Sequence, residues 1–105
     1  MESERYSLEH ILPENPGPNW PQFTDEEAEN SIYRLGNMTL LEAAANREIG
    51  NLPFTDKKLV YTASQFQITK NIAIENNDWN LSRIAAHQNW MAKQATVIWR
   101  VDQLS

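Results

Sequence analysis

The 105-residue chain contains no cysteine, only three glycines and no run of eighteen apolar residues. The lack of cysteine excludes disulfides and any zinc site that uses thiolate ligands. Without a long apolar run, no segment is expected to cross a membrane as a helix. The first five residues, MESER, are acidic and hold no apolar stretch, so we expect no secretory signal and predict a cytoplasmic location.

The composition is that of a folded protein with one core. Apolar residues make up 41% of the chain, with four Trp, three Tyr and three Phe, which is too apolar for a disordered tail. A chain of 105 residues has room for one modest core but not for two. We therefore predict a single domain over residues 1–105, with its core at about residues 6–58 and a helical extension at about residues 59–105.

Charge is distributed unevenly along the chain. The net charge is −5, which argues against a protein that coats DNA, because neutralisation of phosphates supplies most non-specific affinity. Residues 1–50 carry ten acids and three bases, a net −7, whereas residues 51–105 carry four acids and six bases, a net +2. This division suits a DNA-acting protein that obtains its affinity from elsewhere, and it suits many ordinary acidic proteins equally well.

The pattern predicts two short strands, near residues 6–11 and 37–41, that pair antiparallel. Between them, residues 13–21 hold four of the five prolines and form a loop. A short Ala-rich helix over residues 42–49 is expected to end at Gly50.

Four further helices are predicted. Thr24 and Glu27 form a capping box, which starts a helix that runs to about Tyr33. The other three cover residues 55–61, 64–74 and, as the strongest helical pattern in the chain, 80–101. The fold class is therefore α+β and mainly helical.

Three motifs follow one another in the first 58 residues: EHILP at 9–13, LGNMTLL at 35–41 and NREIGNLPFTDKK at 46–58. An acid beside a histidine, then an Asn before an apolar run, then a second Asn nine residues later is the layout of an HNH-type nuclease site. In particular, the stretch resembles the C-terminal nuclease-like domain of the GmrSD-type restriction endonucleases, the DUF1524 family. The resemblance covers about half of the chain.

The resemblance implies a small ββα-metal (HNH) core with additional C-terminal helices, and a role for each motif residue. His10 would be the general base, since imidazole can take a proton from water near neutral pH. Glu9 and Asn46 would hold one divalent cation, Mg²⁺ or Mn²⁺ in its place, through hard oxygen donors. Asn37 would brace the loop that carries the base. Asn51 is the less favoured substitute for Asn46.

Other residues have two interpretations. Arg47, Lys57 and Lys58 would contact DNA phosphate, or they are solvated charges, and the sequence does not choose between the two for the lysines. His87 is interpreted as a packing or surface residue. The tryptophans are interpreted as core residues before they are considered as platforms for bases.

The functional hypothesis is a metal-dependent DNA endonuclease domain of a phage-defence restriction system. The family usually pairs this domain with an NTP-dependent sensor domain (DUF262-like), so DNA and such a domain are the expected partners. The alternative is a catalytically inactive helical interaction domain that retains the HNH-like fold.

Overall fold

The computed structural model of the chain describes residues 5–104, and the side chains of residues 5–95. Two strands, β1 (Tyr6–His10) and β2 (Met38–Glu42), form an antiparallel two-stranded sheet. The register pairs Tyr6 with Glu42 at one end of the sheet and His10 with Met38 at the other. The predicted antiparallel pairing of these two segments is confirmed.

Helices supply most of the remaining described structure: α1 (Asp25–Ser31), α2 (Ala43–Ile49), α3 (Phe54–Thr62), α4 (Gln67–Glu75) and α5 (Leu81–Leu104). Single 3₁₀ turns occur at Gly17–Asn19 and Leu35–Asn37. The mainly helical α+β class is thereby confirmed. The order β1, β2, α2 is the order that an HNH core requires, while the use of this unit as a metal core stays a prediction.

Local sequence signals set several helix ends. Thr24 Oγ1 accepts the Glu27 backbone N–H at 3.1 Å, and the Glu27 carboxylate accepts the Thr24 N–H at 2.8 Å, so the predicted capping box is confirmed. Helix α2 ends at Ile49 and is followed by Gly50, whose φ of 44° lies in the region that favours glycine. Helix α3 begins at Phe54, one residue earlier than predicted, because Pro53 takes the extended N-cap conformation.

The core is built from aromatic and branched aliphatic side chains that come from β2, from the helices and from the loops between these elements. Its members include Ile11, Leu12, Trp20, Leu41, Phe54, Tyr61, Ile72, Trp79 and Ile84. Trp79 is completely buried and stacks on Phe54, with the ring centroids 5.8 Å apart and the planes at 24°. The interpretation of the tryptophans as core residues is confirmed for Trp20 and Trp79. Trp90 is 44% exposed, and Trp99 lies outside the described side chains.

Helix α5 approaches the start of β2 closely. A Cβ at Gly36 would lie 2.3 Å from the Ile84 carbonyl oxygen, so only glycine allows this approach. On α5 itself Ile84 is buried, whereas Ala95, later in the same helix, is exposed. The first turns of α5 therefore belong to the core and hold the 3₁₀ turn that precedes β2.

Candidate active site

Glu9 and His10 lie on opposite faces of the sheet. Both belong to β1, where successive side chains alternate between the two faces. The Glu9 residue is 3% exposed, whereas the side chain of His10 is 19% exposed. The pair that the sequence places together is therefore divided between the protein interior and the surface.

On the interior face, the Glu9 carboxylate forms a buried ion pair with Lys57 from α3. The ammonium Nζ lies 3.0 Å from Glu9 Oε2, and the Tyr61 hydroxyl donates to the same oxygen at 2.6 Å. Lys57 also donates to the His10 carbonyl at 3.0 Å and to the Ile11 carbonyl at 2.9 Å. Three acceptors thus surround the ammonium, and two of them belong to the backbone at the end of β1.

Burial dominates the electrostatics of this cluster. It raises the pKa of the Glu9 carboxyl, against the attraction of Lys57, and it lowers the pKa of Lys57, against the attraction of Glu9. Burial and the neighbouring carboxylate also raise the pKa of Tyr61 well above 10. The two charges depend on each other, since either one alone would be an unpaired charge in the interior.

Asn37 holds the backbone that follows His10. Its Oδ1 accepts the Leu12 N–H at 2.8 Å and the Trp79 indole N–H at 2.9 Å. Its Nδ2 donates to the Leu12 carbonyl at 2.9 Å and to the Ile32 carbonyl at 3.0 Å. Asn37 is completely buried, so all four of these bonds are shielded from water. The structure places this side chain where a brace for the loop would be, and its part in catalysis stays a prediction.

On the open face, His10 adjoins a carboxylate and a phenol. Its Nδ1 lies 4.0 Å from Glu14 Oε1, and the edge-to-face ring of Tyr33 has its centroid 5.6 Å from the imidazole centroid. The Tyr33 hydroxyl donates to the other oxygen of Glu14 at 2.7 Å. This bond raises the pKa of Tyr33. His10, Glu14 and Tyr33 form an open cluster at the surface.

Asn46 contacts β1 upstream of the two motif residues. Its Nδ2 donates to Ser7 Oγ at 2.7 Å and to the Leu8 carbonyl at 3.1 Å. Its Oδ1 accepts no hydrogen bond within the described part of the chain. Asn51, the substitute for Asn46, instead donates to the Asn15 carbonyl at 3.1 Å and so ties two loops together.

One comparison with known proteins decides the family. The family model described as the C-terminal domain of the GmrSD restriction endonucleases matches residues 1–94. The chain belongs to this family. No curated protein and no solved structure matches it. Membership suggests a restriction endonuclease-related role for this GmrSD C-terminal domain, and it implies a DNA substrate and a companion domain. No described helix is long and apolar enough to span a membrane.

The predicted metal ligands of this GmrSD domain do not fit a shared cation as they are placed. Glu9 is almost completely buried, and its Oε2 already accepts bonds from an ammonium and a phenol. Asn46 reaches Ser7 and Leu8 rather than the Glu9 carboxylate. No group of three or more His, Asp or Glu side chains within the described residues could hold a metal ion. The structure therefore does not bring Glu9, His10 and Asn46 together.

The phosphate contacts expected of the GmrSD domain also need correction at one position. Lys57 is completely buried and its ammonium is used inside the protein, so a DNA phosphate cannot reach it. The neighbouring Lys58 is half-buried, and Arg47 is exposed on α2. The contact with phosphate thus stays a prediction for Arg47 and Lys58 only.

Sequence reasoning missed two members of the open cluster. Glu14 lies four residues after His10, and this spacing beside the EHILP motif is a signal that could have pointed to it. Tyr33 joins the cluster from the end of the next helix and is nineteen residues away from its partner Glu14. Nothing in the chain near Tyr33 indicates this contact.

Proposed function

We propose that this GmrSD domain is an HNH-type endonuclease that hydrolyses DNA phosphodiester bonds with His10 as the general base and one divalent cation. The observation that supports it is the bracing of the segment after His10. Two buried side chains, Lys57 and Asn37, make four hydrogen bonds to the backbone of residues 10–12. These bonds fix the backbone next to the partly exposed imidazole of His10.

Such bracing is what a general base requires. A base must be held close to its working geometry by groups that are themselves fixed by packing and hydrogen bonds. Surface histidines of ordinary proteins need no support of this kind, whereas here a fully buried asparagine and a fully buried lysine serve one short segment. Burying the Lys57 ammonium and the Asn37 amide costs desolvation free energy, and a requirement for a fixed position of His10 would explain why the fold retains both.

The open cluster would assist the imidazole in taking a proton. With Nδ1 directed towards the Glu14 carboxylate, Nε2 is the ring nitrogen left to accept a proton from the attacking water. A negative charge near Nδ1 favours the imidazolium that forms during this transfer. Tyr33 would keep Glu14 in place through its hydroxyl.

A divalent cation, Mg²⁺ or Mn²⁺, is part of the proposal on the strength of the family resemblance. When bound, it would neutralise charge on the phosphate and on the departing oxygen. Near the EHILP motif, the Glu14 carboxylate and the Asn46 amide oxygen are hard oxygen donors that are not enclosed in a buried ion pair and could each contribute to holding it. Glu9 could join them only if it released Lys57.

DNA binding would depend on a partner. The half of the chain that carries His10 has a net charge of −7, and the other half supplies only +2. We therefore expect the 105 residues alone to bind duplex DNA no better than roughly 10⁻⁴–10⁻⁶ M at physiological salt. Arg47 and Lys58 would contribute phosphate contacts. An NTP-dependent sensor domain would choose the target in a phage-defence system.

The test is cleavage of supercoiled plasmid DNA by the chain, both alone and with its genomic neighbour or full-length parent. Cutting should require Mg²⁺, stop with EDTA and resume when Mn²⁺ is added. The His10→Ala variant should cut roughly 10²–10⁴-fold more slowly than the parent, while Glu29→Ala, which changes an exposed residue on α1, should cut like the parent. Equal cutting by His10→Ala and the parent would refute the assignment of the base.

A further inference from the structure

A cleft of about 180 Å³ lies between α4 and α5, and its lining includes no member of the open cluster around His10. Apolar, aromatic and polar side chains share its lining, among them Ile68, Asn71, Glu75, Arg83, His87 and Trp90. None of them has a part in the hydrolysis proposed above. The cleft has the mixed lining that small-molecule sites commonly show, in which a few polar groups interrupt an apolar wall.

An extended aromatic surface forms one wall. The rings of His87 and Trp90 stack with their planes at 10° and their centroids 5.8 Å apart. His87 also meets the edge of the buried Trp79, with a centroid distance of 6.3 Å, so the core anchors this surface from behind. Trp90 is 44% exposed although it lies at a cleft, which leaves much of an indole available to a flat ligand.

The polar lining offers both donors and acceptors but no net charge. Asn71 uses its Oδ1 to accept from Gln67, which leaves its amide N–H groups free to donate. Asn76 uses its Nδ2 to donate to the Ile72 carbonyl, which leaves its amide oxygen free to accept. One carboxylate, from Glu75, balances one guanidinium, from Arg83. A neutral ligand that carries both donors and acceptors fits this lining better than a phosphate or a cation does.

His87 adds a buried acceptor that lacks a partner. Its ring interacts with the backbone of Met38, while Nε2 is buried and has no hydrogen-bond partner within the described side chains. Burial lowers the pKa of His87, so the ring is neutral at pH 7 and Nε2 is an acceptor. Buried acceptors are rarely left unpaired. Since Met38 is the cross-strand partner of His10, this side of the cleft adjoins the end of the sheet that carries the candidate base.

We propose that the cleft between α4 and α5 holds one unpaired nucleobase of a DNA strand, stacked on Trp90 and bonded at its edge by the amides of Asn71 and Asn76. A nucleobase is flat, neutral and carries donors and acceptors on one edge, which are the properties that the lining selects. Its N–H groups would also supply the donor that His87 Nε2 lacks. That the base belongs to DNA rests on the proposed function; the stacking site itself does not.

The experiment measures binding in EDTA, so that no cleavage occurs. The probes are a fluorescein-labelled single-stranded dT 12-mer, the same strand in a duplex, and free dTMP, each titrated with the intact chain and followed by anisotropy or, for dTMP, by tryptophan fluorescence. We expect the single strand to bind more tightly than the duplex and than dTMP. A duplex that binds as tightly as the single strand would overturn the proposal, because the bases of a duplex are paired. If dTMP binds as tightly as the strand, the assignment of the base to a DNA strand is overturned, because the rest of the strand then adds nothing.

Matched variants locate the binding. Trp90→Ala should weaken single-strand binding by roughly 5- to 150-fold, the usual effect of losing one base–aromatic stack, and Trp90→Phe should restore most of it. Arg83→Ala should weaken binding more than Lys93→Ala, which removes a charge from an exposed position of the same helix that is not part of the cleft lining. Circular dichroism of each variant checks that the fold is intact. Parent-like binding by Trp90→Ala would overturn the proposal.

The same titration separates this inference from the nuclease proposal. His10→Ala should bind the single strand like the parent, because His10 does not line the cleft. If the parent fails to cut any DNA but still shows binding that depends on Trp90, the base site stands and the proposed function fails. If the parent cuts DNA and Trp90→Ala binds equally well, the nuclease stands and the base site fails.

Discussion

The two faces of the β1–β2 sheet treat neighbouring residues of one motif in opposite ways. On the interior face, Glu9 is enclosed by Lys57 and Tyr61 and is shielded from water. On the open face, His10 keeps contact with solvent, and its neighbours Glu14 and Tyr33 are themselves exposed. The motif therefore combines a structural carboxylate and a candidate catalytic imidazole, one residue apart.

The difference between the two faces shows how a reactive side chain can be accessible to solvent and still be fixed in position. His10 cannot be held by burying it, since it must meet water and phosphate, so its own carbonyl and the backbone that follows are held instead. Lys57 and Asn37 do this from the interior face, and Glu9 supplies the charge that allows an ammonium to stay there. Changes on the two faces should accordingly affect different measurable quantities.

The largest effect is expected from His10→Ala. Loss of a general base should lower the rate of DNA cleavage by roughly 10²–10⁴-fold. The melting temperature should stay close to that of the parent, because the imidazole is partly exposed and makes no buried hydrogen bond in the described structure. Cleavage rates and thermal melts of the same preparations check this. A large loss of stability would show that the open face also holds the fold.

Glu9→Ala should instead lower the free energy of unfolding by about 3–5 kcal/mol, because it leaves the Lys57 ammonium buried without its counter-charge. Urea unfolding measures this, with Lys58→Ala as a control on the next, half-buried lysine of α3. The competing interpretation is that Glu9 is a metal ligand. Unchanged stability together with lost Mg²⁺ binding would favour that interpretation and would contradict the structural role.

Glu14→Gln tests the open cluster with a smaller effect. The interaction of two charges 4 Å apart near solvent is worth about 1 kcal/mol, so the rate should fall about fivefold. The amide keeps the shape of the side chain, and the stability should hardly change because Glu14 is exposed. Glu29→Gln, an exposed acid on α1, is the matched control. Equal rates for Glu14→Gln and the parent would remove Glu14 from the proposal.

The smallest effect concerns Glu42, at the other end of the open face from His10. Although burial opposes it, hydrogen bonds from the Gln65 N–H at 3.0 Å and the Ser64 hydroxyl at 2.7 Å lower the pKa of Glu42 below 4.5. As the pH is lowered, the Glu42 carboxylate therefore takes up a proton at a higher pH in the unfolded chain than in the folded chain. Stability should therefore fall as the pH drops through the folded pKa.

Urea midpoints between pH 6 and pH 3 measure this loss, and Glu42→Gln should show a shallower decline than the parent because its side chain does not titrate. Parallel declines for the two proteins would mean that Glu42 is not held by these bonds. In that case Glu42 would not stabilise the fold, and the stabilising carboxylate of the sheet would be Glu9 on the interior face.

Several features of the fold could be predicted from neighbouring residues alone. The Thr24 and Glu27 capping box and the stop at Gly50 depend on contacts within a few residues, and each appears where it was predicted. The two strands were predicted from their local apolar pattern, although the pairing that completes them joins residues far apart in the chain. The buried position of Lys57 could not be predicted, because its partner Glu9 lies 48 residues earlier. A lysine near the start of a helix ordinarily faces water, and only the packing of α3 against β1 encloses this one.

The sequence by itself determined the class of fold, the order of its elements and the family motifs. These follow from steric and hydrogen-bonding preferences that act between near neighbours. Only the tertiary structure decided that Glu9 is enclosed while His10 stays at the surface, that Asn37 and Lys57 hold the backbone after His10, and that His87 and Trp90 border a cleft. Those outcomes depend on which distant surfaces meet, because burial removes water and makes each polar group require a partner from another part of the chain.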